Sequence, residues 1–276
     1  MAIRPADLPL LLAGPILRRV ESDLVSVWIA TSQACSASLL LFDGADVAAS
    51  DTPTGDLRAG WVSQDQTTLQ AGANLHVLSI VLDLRAPGGT AARSNGTLLA
   101  DRTYSYDIHL IPANAPATPQ TLRTLGLLND PIPLGYDRGE LPSFKTPPVE
   151  REKLVIVHGS CRQMFAVPPL GDDPATDDSP FHPPPDWPKA EPTIDSPVLA
   201  GDPIPFPTTD NPTFPKRDGM IWVDALIDQR GPAPRFAGRP HQMFLTGDQI
   251  YADGVPTVML PVLNHVGRVL IGDEDV

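Results

Sequence analysis

Fifteen of the chain's 33 prolines lie between residues 165 and 217. Proline fixes φ and has no N–H to donate, so this stretch can build neither a regular helix nor a central strand. It reads as a long surface insertion. The regular architecture must therefore come from the two flanks, and these differ in character.

The N-terminal flank is rich in β-branched and aromatic residues at 24–31, 38–42, 75–82 and 104–111. Turn signals separate these runs: Asp43-Gly44, the 51–55 cluster with Pro53 and Gly55, the 87–89 cluster and Asn95-Gly96. Several short strands spaced this way predict an all-β sandwich from about residue 14 to 112, although the same strands fit a barrel. Trp28 shares one face of its strand with Ser26 and Ala30, because side chains alternate along a strand. Residues 113–151 read as a connector rich in proline and polar residues, with one apolar patch at 122–128. The domain plan is thus a sandwich over 1–112, a connector over 113–151 and an α/β part over 152–276 that contains the insertion.

The C-terminal flank follows a different rhythm. Residues 154–157 form an apolar strand run that leads into Gly159, Ser160 and Cys161. Residues 220–228 have helical spacing, and 243–245 (Met243, Phe244, Leu245) read as a buried strand. A strand–helix–strand unit of this kind is expected to be parallel and right-handed. Beyond it, 256–270 looks helical, with Pro256 in the first turn, Asp253 as N-cap and Pro261 as a kink or break. Two parallel strands and two helices do not complete a domain. The second part therefore reads as cut short, with an open sheet edge and an uncovered apolar face.

Asp248 and Tyr251 follow the second strand directly, three residues apart. The C-terminal edge of parallel strands is where open α/β sheets place their chemistry. A carboxylate and a phenol there suit a hard, highly charged metal ion. Asp248 also fits as a turn residue, and Tyr251 as a packed aromatic. Cys161 fits a small buried hydrophobe, a thiolate ligand or a nucleophile. His158, three residues back along a strand, is poorly placed to serve it as a base. Arg162 could offer its fork of donors to a phosphoryl oxygen or sit solvated at the surface. Neither a zinc-hydrolase HExxH motif nor a glycine-rich phosphate loop occurs.

Composition narrows the partners. With 276 residues and 42% hydrophobic content, a sizeable core is expected. A formal net charge of −13 argues against nonspecific binding to nucleic acid or anionic membranes. It leaves a phosphate substrate open, because a metal can supply local positive charge. Two cysteines make no disulfide framework. The apolar run at 8–12 is short and interrupted by Pro9, so neither a signal peptide nor a membrane span is expected, and a cytoplasmic location follows. Oligomeric state is not readable from the chain.

HGSCRQMF at 158–165, followed by a helix and then FLTGDQIYADGV at 244–255, resembles the PhoD-like branch of the metallophosphatases, the alkaline phosphatase D family. The stretch 14–21 leading into 25–30 also looks like the N-terminal domain of that family, an immunoglobulin- or fibronectin-III-like sandwich. The resemblance covers both flanks and skips the insertion. It implies a phosphoesterase that uses hydroxide held by two metals to split phosphate monoesters or diesters. By residue-wise match, Asp248 is the bridging aspartate, Tyr251 the tyrosine ligand and Cys161 the cysteine ligand. Thiolate and phenolate favour ferric iron, paired in the family with calcium or another divalent ion. The implied partner is a small phosphate ester, with no nucleic acid and no membrane. The family's later asparagine and histidine ligands have no match here, and three ligands cannot fill two metals that need on the order of eight donors. The chain alone is therefore expected to be inactive or nearly so. The alternative is a non-enzymatic β-sandwich interaction module with a degenerate metallophosphatase remnant. A cysteine hydrolase built on Cys161 is disfavoured, since no oriented base is visible.

Overall fold

Val25, Val27 and Ile29 alternate along one strand, each fully buried, and they set the plan of the N-terminal part. The computed structural model describes residues 4–45, 47–49, 60–85, 96–115, 119–129, 134–137, 139–159, 223, 227, 236, 238–247 and 259–272. The chain divides into two units. One comprises Met1–Val155 with Gly254–Val276, the other Ile156–Asp253.

The first unit is built from two antiparallel sheets. One has the order β1-β2-β7-β6, with β1 at Leu11–Val20, β2 at Leu24–Thr31, β6 at Leu69–Gly72 and β7 at Leu75–Asp83. The other has the order β4-β3-β8-β9, with β3 at Cys35–Asp43, β4 at Trp61–Val62, β8 at Thr103–Pro112 and β9 at Ser143–Lys145. The short β5, Gln66–Thr67, also pairs with β3.

The register explains the core. In the first sheet Val25, Val27 and Ile29 lie opposite Leu82, Ile80 and Leu78. In the second, Ala37, Leu39 and Leu41 lie opposite Leu110, Ile108 and Tyr106. Residues of both sheets join one hydrophobic cluster, which makes the pair a β-sandwich rather than a barrel. Trp28 sits half-buried on the opposite face of β2 from Val27. On that outer face Ser26 bonds Ser79 across the strands at 2.8 Å.

Aromatic residues pack one end of the second sheet. Trp61 meets Tyr104 edge-on at 5.7 Å between ring centroids, and Phe144 lies 6.1 Å from Tyr104 and 6.3 Å from Tyr106. The Tyr104 hydroxyl accepts the Leu99 backbone N–H at 2.9 Å, bracing the entry to β8. β1 carries Pro15, which is tolerated because β1 is an edge strand with a broken register. Gly14 sits at that break with φ 94°; a Cβ there would lie 2.7 Å from the Trp28 carbonyl.

The stretch 113–151, read as a connector, takes part in the sandwich. β9 extends the sheet beyond β8, and Gln120 exchanges two backbone hydrogen bonds with Leu110 at 2.7 and 2.8 Å. Leu122, Leu128, Leu141 and Phe144 are core residues. The buried Asp107 carboxylate accepts N–H bonds from Ile108 at 2.8 Å and Leu122 at 3.1 Å. Loop composition hides this, because four buried apolar side chains and a few backbone bonds suffice to fix an irregular segment.

The helix expected at 256–270 begins later. It spans Leu260–Ile271 and is termed α1, with Met259 at the N-cap; Asp253 and Pro256 lie outside the described residues. Pro261 falls within the first turn, where its missing N–H costs nothing, and so neither kinks nor breaks the helix. Val223 and Ile227, in the stretch expected to be a helix, have helical backbone. Among the described residues no helix is long and apolar enough to cross a membrane.

This packing can be tested by substitution. Leu39→Ala, at a fully buried site between sheet neighbours, is expected to destabilise the first unit by about 2–5 kcal/mol, and Tyr104→Phe by about 1 kcal/mol, measured by denaturant unfolding. Equal losses would refute the packing order. A second prediction concerns pH. Burial holds His109 below its ordinary value of 6.5, with Asp65 pulling weakly the other way, and among the described residues its Nε2 has no hydrogen-bond partner. The unfolded chain therefore takes up a proton at His109 that the folded chain resists. Stability is expected to fall as pH drops below about 6.5, until the lowered folded value is passed. His109→Gln should flatten that part of the melting-temperature profile; identical wild-type and variant slopes would rule out the assignment.

Candidate metal centre

Two further strands lie in the second unit. β10 spans Ile156–Gly159 and β11 spans Gln242–Leu245. They pair in parallel, as the strand–helix–strand pattern predicts, with Ile156 opposite Gln242, Val157 opposite Met243, His158 opposite Phe244 and Gly159 opposite Leu245. Both strands consequently end at the same edge. The bonding continues one step further, since the Thr246 N–H donates to the Gly159 carbonyl at 3.0 Å.

Local sequence favours this close ending. Val157, Met243 and Leu245 occupy one face by alternation, and His158, Phe244 and Thr246 the other. Gly159 lets the strands approach: a Cβ there would come within 3.3 Å of the Leu245 side chain. On the opposite face His158 Nε2 and Thr246 Oγ1 lie 2.6 Å apart, a hydrogen bond that ties the two strand ends together.

The sequence alone presents His158 only as a poorly placed base for Cys161 and assigns Thr246 no partner. The signal for their contact is present but conditional. Residues diagonal across a strand pair share a face only once the pairing direction and register are known. Burial also differs from expectation. Met243, Phe244 and Leu245 are 43%, 49% and 45% exposed, not buried. Parallel strands become buried when helices cover both faces and further strands flank them, and among the described residues β10 and β11 pair only with each other.

Cys161, Arg162, Asp248 and Tyr251 all lie outside the described residues. Cys161 comes two residues after the end of β10, and Asp248 three after the end of β11. The structure thus brings together the chain positions from which these segments depart. Among the described residues, no group of three or more His, Cys, Asp or Glu could hold a metal ion. By donor chemistry a thiolate, a carboxylate and a phenolate fit an iron centre, all three being anionic in the bound form. Searches against protein-family models and against curated protein sequences found no match for the chain.

Proposed function

We propose that the chain is a metal-dependent phosphoesterase of the PhoD-like type, with an immunoglobulin-type sandwich ahead of an α/β metallophosphatase part. The observation that carries this reading is the parallel pairing of β10 with β11, which ends both strands at one edge. Edges of this kind are where α/β sheets place ligands, and the GSC and GDQIY segments both depart from it.

The sandwich supports the finer fold. Lettered in the immunoglobulin manner, its sheets read A-B-E-D and C′-C-F-G. Tyr104, at the start of strand F with its hydroxyl bonded five residues back, has the form of the tyrosine corner of such domains.

In this reading Cys161, Asp248 and Tyr251 would hold the metal, Asp248 being the carboxylate shared by both ions, and Arg162 would orient the phosphoryl group through its paired donors. Ferric iron with calcium or another divalent ion would acidify water and neutralise the charge developing on the phosphoryl oxygens. The thiolate and phenolate would select ferric iron over calcium at their ion through their negative charge, which binds the more highly charged cation most strongly. Because three side chains do not saturate two ions, turnover by residues 1–276 alone is expected to be slow.

Titration of the full chain with ferric iron is expected to give a visible charge-transfer absorption, lost in Tyr251→Phe and shifted in Cys161→Ser. Hydrolysis of p-nitrophenyl phosphate or its bis ester with iron and calcium present should be weak. Asp248→Asn should lower it by more than the ~10–100-fold typical of outer-shell changes. Absence of both iron binding and hydrolysis would overturn the proposal in favour of a β-sandwich interaction module.

A further inference from the structure

β7 has unequal neighbours. On one side it pairs with β2 from His76 to Asp83. On the other, β6 reaches only from Leu75 to Val77, with Gly72 opposite Leu75 and Leu69 opposite Val77. From Ser79 to Asp83 no described strand lies on the β6 side. Open backbone along a sheet edge is a template for another strand.

This edge is closed by a side chain. The Val81 N–H donates to Gln66 Oε1 at 3.0 Å, and Gln66 Nε2 donates to the Val81 carbonyl at 2.9 Å. Two residues directly opposite in a hydrogen-bonded antiparallel pair exchange the same two bonds. The Gln66 carboxamide therefore stands where a peptide group of a neighbouring strand would stand. Its own backbone is committed elsewhere, opposite Ala37 of β3 in the other sheet.

The position of the contact points to the kind of strand that fits. β6 takes Val77, and β7 ends at Asp83, where the Arg85 N–H turns back onto the Asp83 carboxylate at 2.9 Å. Val81 is the midpoint of the stretch between. Ser79, Val81 and Asp83 are exposed, while Ile80 and Leu82 are buried in the core. A second β7 laid antiparallel about Val81 sets Val81 against Val81 and Ser79 against Asp83. No like charges then stand opposite, and the pairing ends before it meets β6 of either copy. Such a contact uses the same patch twice, as a two-fold dimer requires.

We propose that the β7 edge from Ser79 to Asp83 is a strand-pairing surface for a second copy of this chain, and that Gln66 keeps it closed by occupying the partner's bonds at Val81. The intramolecular amide competes with the second copy and holds association weak. The proposal concerns the sandwich alone and is independent of the metal reading.

Sedimentation velocity and hydrogen exchange of the full chain test it, at about 0.15 M salt to screen repulsion between chains of net charge −13. The proteins are wild type, Gln66→Ala, Gln66→Met, which keeps the length but cannot make the bonds, and Gln66→Met with Val81→Lys. Both single variants are expected to dimerise at least tenfold more tightly than wild type. In dilute solution their Val81 amide should exchange about tenfold faster, and it should regain protection as concentration rises. Val81→Lys, which sets two lysines against each other across the two-fold, should return the chain to wild-type size. Unchanged Val81 exchange would overturn the role of Gln66. Faster exchange without dimerisation would overturn the second copy as the occupant. Dimerisation that survives Val81→Lys would place the contact on another surface. Should Gln66→Ala unfold the sandwich, Gln66→Met decides.

Discussion

Between β3 and β8 the register runs unbroken from Cys35 opposite Pro112 to Asp43 opposite Tyr104. A slip by one residue would turn Ala37, Leu39, Leu41, Tyr106, Ile108 and Leu110 to the other face and bring up Ser38, Asp107 and His109 in their place. The same holds for β2 and β7, where Val25, Val27 and Ile29 face Leu82, Ile80 and Leu78. Both pairings feed the same hydrophobic cluster. Trp61 and Phe144 pack on an aromatic row that exists only because Tyr104 and Tyr106 point the same way.

The sandwich uses polar anchors where the chain leaves regular structure. Asp107 fixes the approach of Leu122, and Tyr104 braces Leu99. Thr146 donates to the Leu99 carbonyl at 2.6 Å and accepts the Arg102 N–H at 3.0 Å, which ties β9 to the entry of β8. Arg102 in turn grips the Asp43 carboxylate with both arms of its fork, at 2.6 and 3.0 Å. These contacts hold loops whose composition gives little reason for order. The β6–β7 hairpin tip meets the end of α1 by the same device at longer range, Ala73 and Asn74 donating to the carbonyls of Val269, Leu270 and Ile271.

Much of the fold is legible in the chain. Strands with dense β-branched and aromatic residues form where the pattern puts them, because alternation along a half-buried strand is a local property. The parallel direction of β10 and β11 is legible too, from the length and helical spacing of the chain between them. Of the candidate centre, the strand ends are readable as apolar runs closed by glycine. The His158–Thr246 bond is not, because it exists only after the register is set. The exposure of Met243 to Leu245 goes against the pattern for a related reason: apolar residues record a preference for burial, and whether cover is provided is settled by other elements.

What the sequence determined by itself was therefore local: which segments are strands, where proline forbids them, and which carboxylate, phenol and thiol follow strand ends. The tertiary structure decided which faces meet and which distant groups bond. Nothing near Asn74 announces a helix end as its partner, and nothing in 260–271 announces a hairpin. The two lie 195 residues apart at the Asn74–Val269 bond, and their fit depends on three-dimensional placement of backbone groups that every sequence shares. Backbone donors and acceptors carry no residue code, so a contact made between them becomes visible only when the chain is folded.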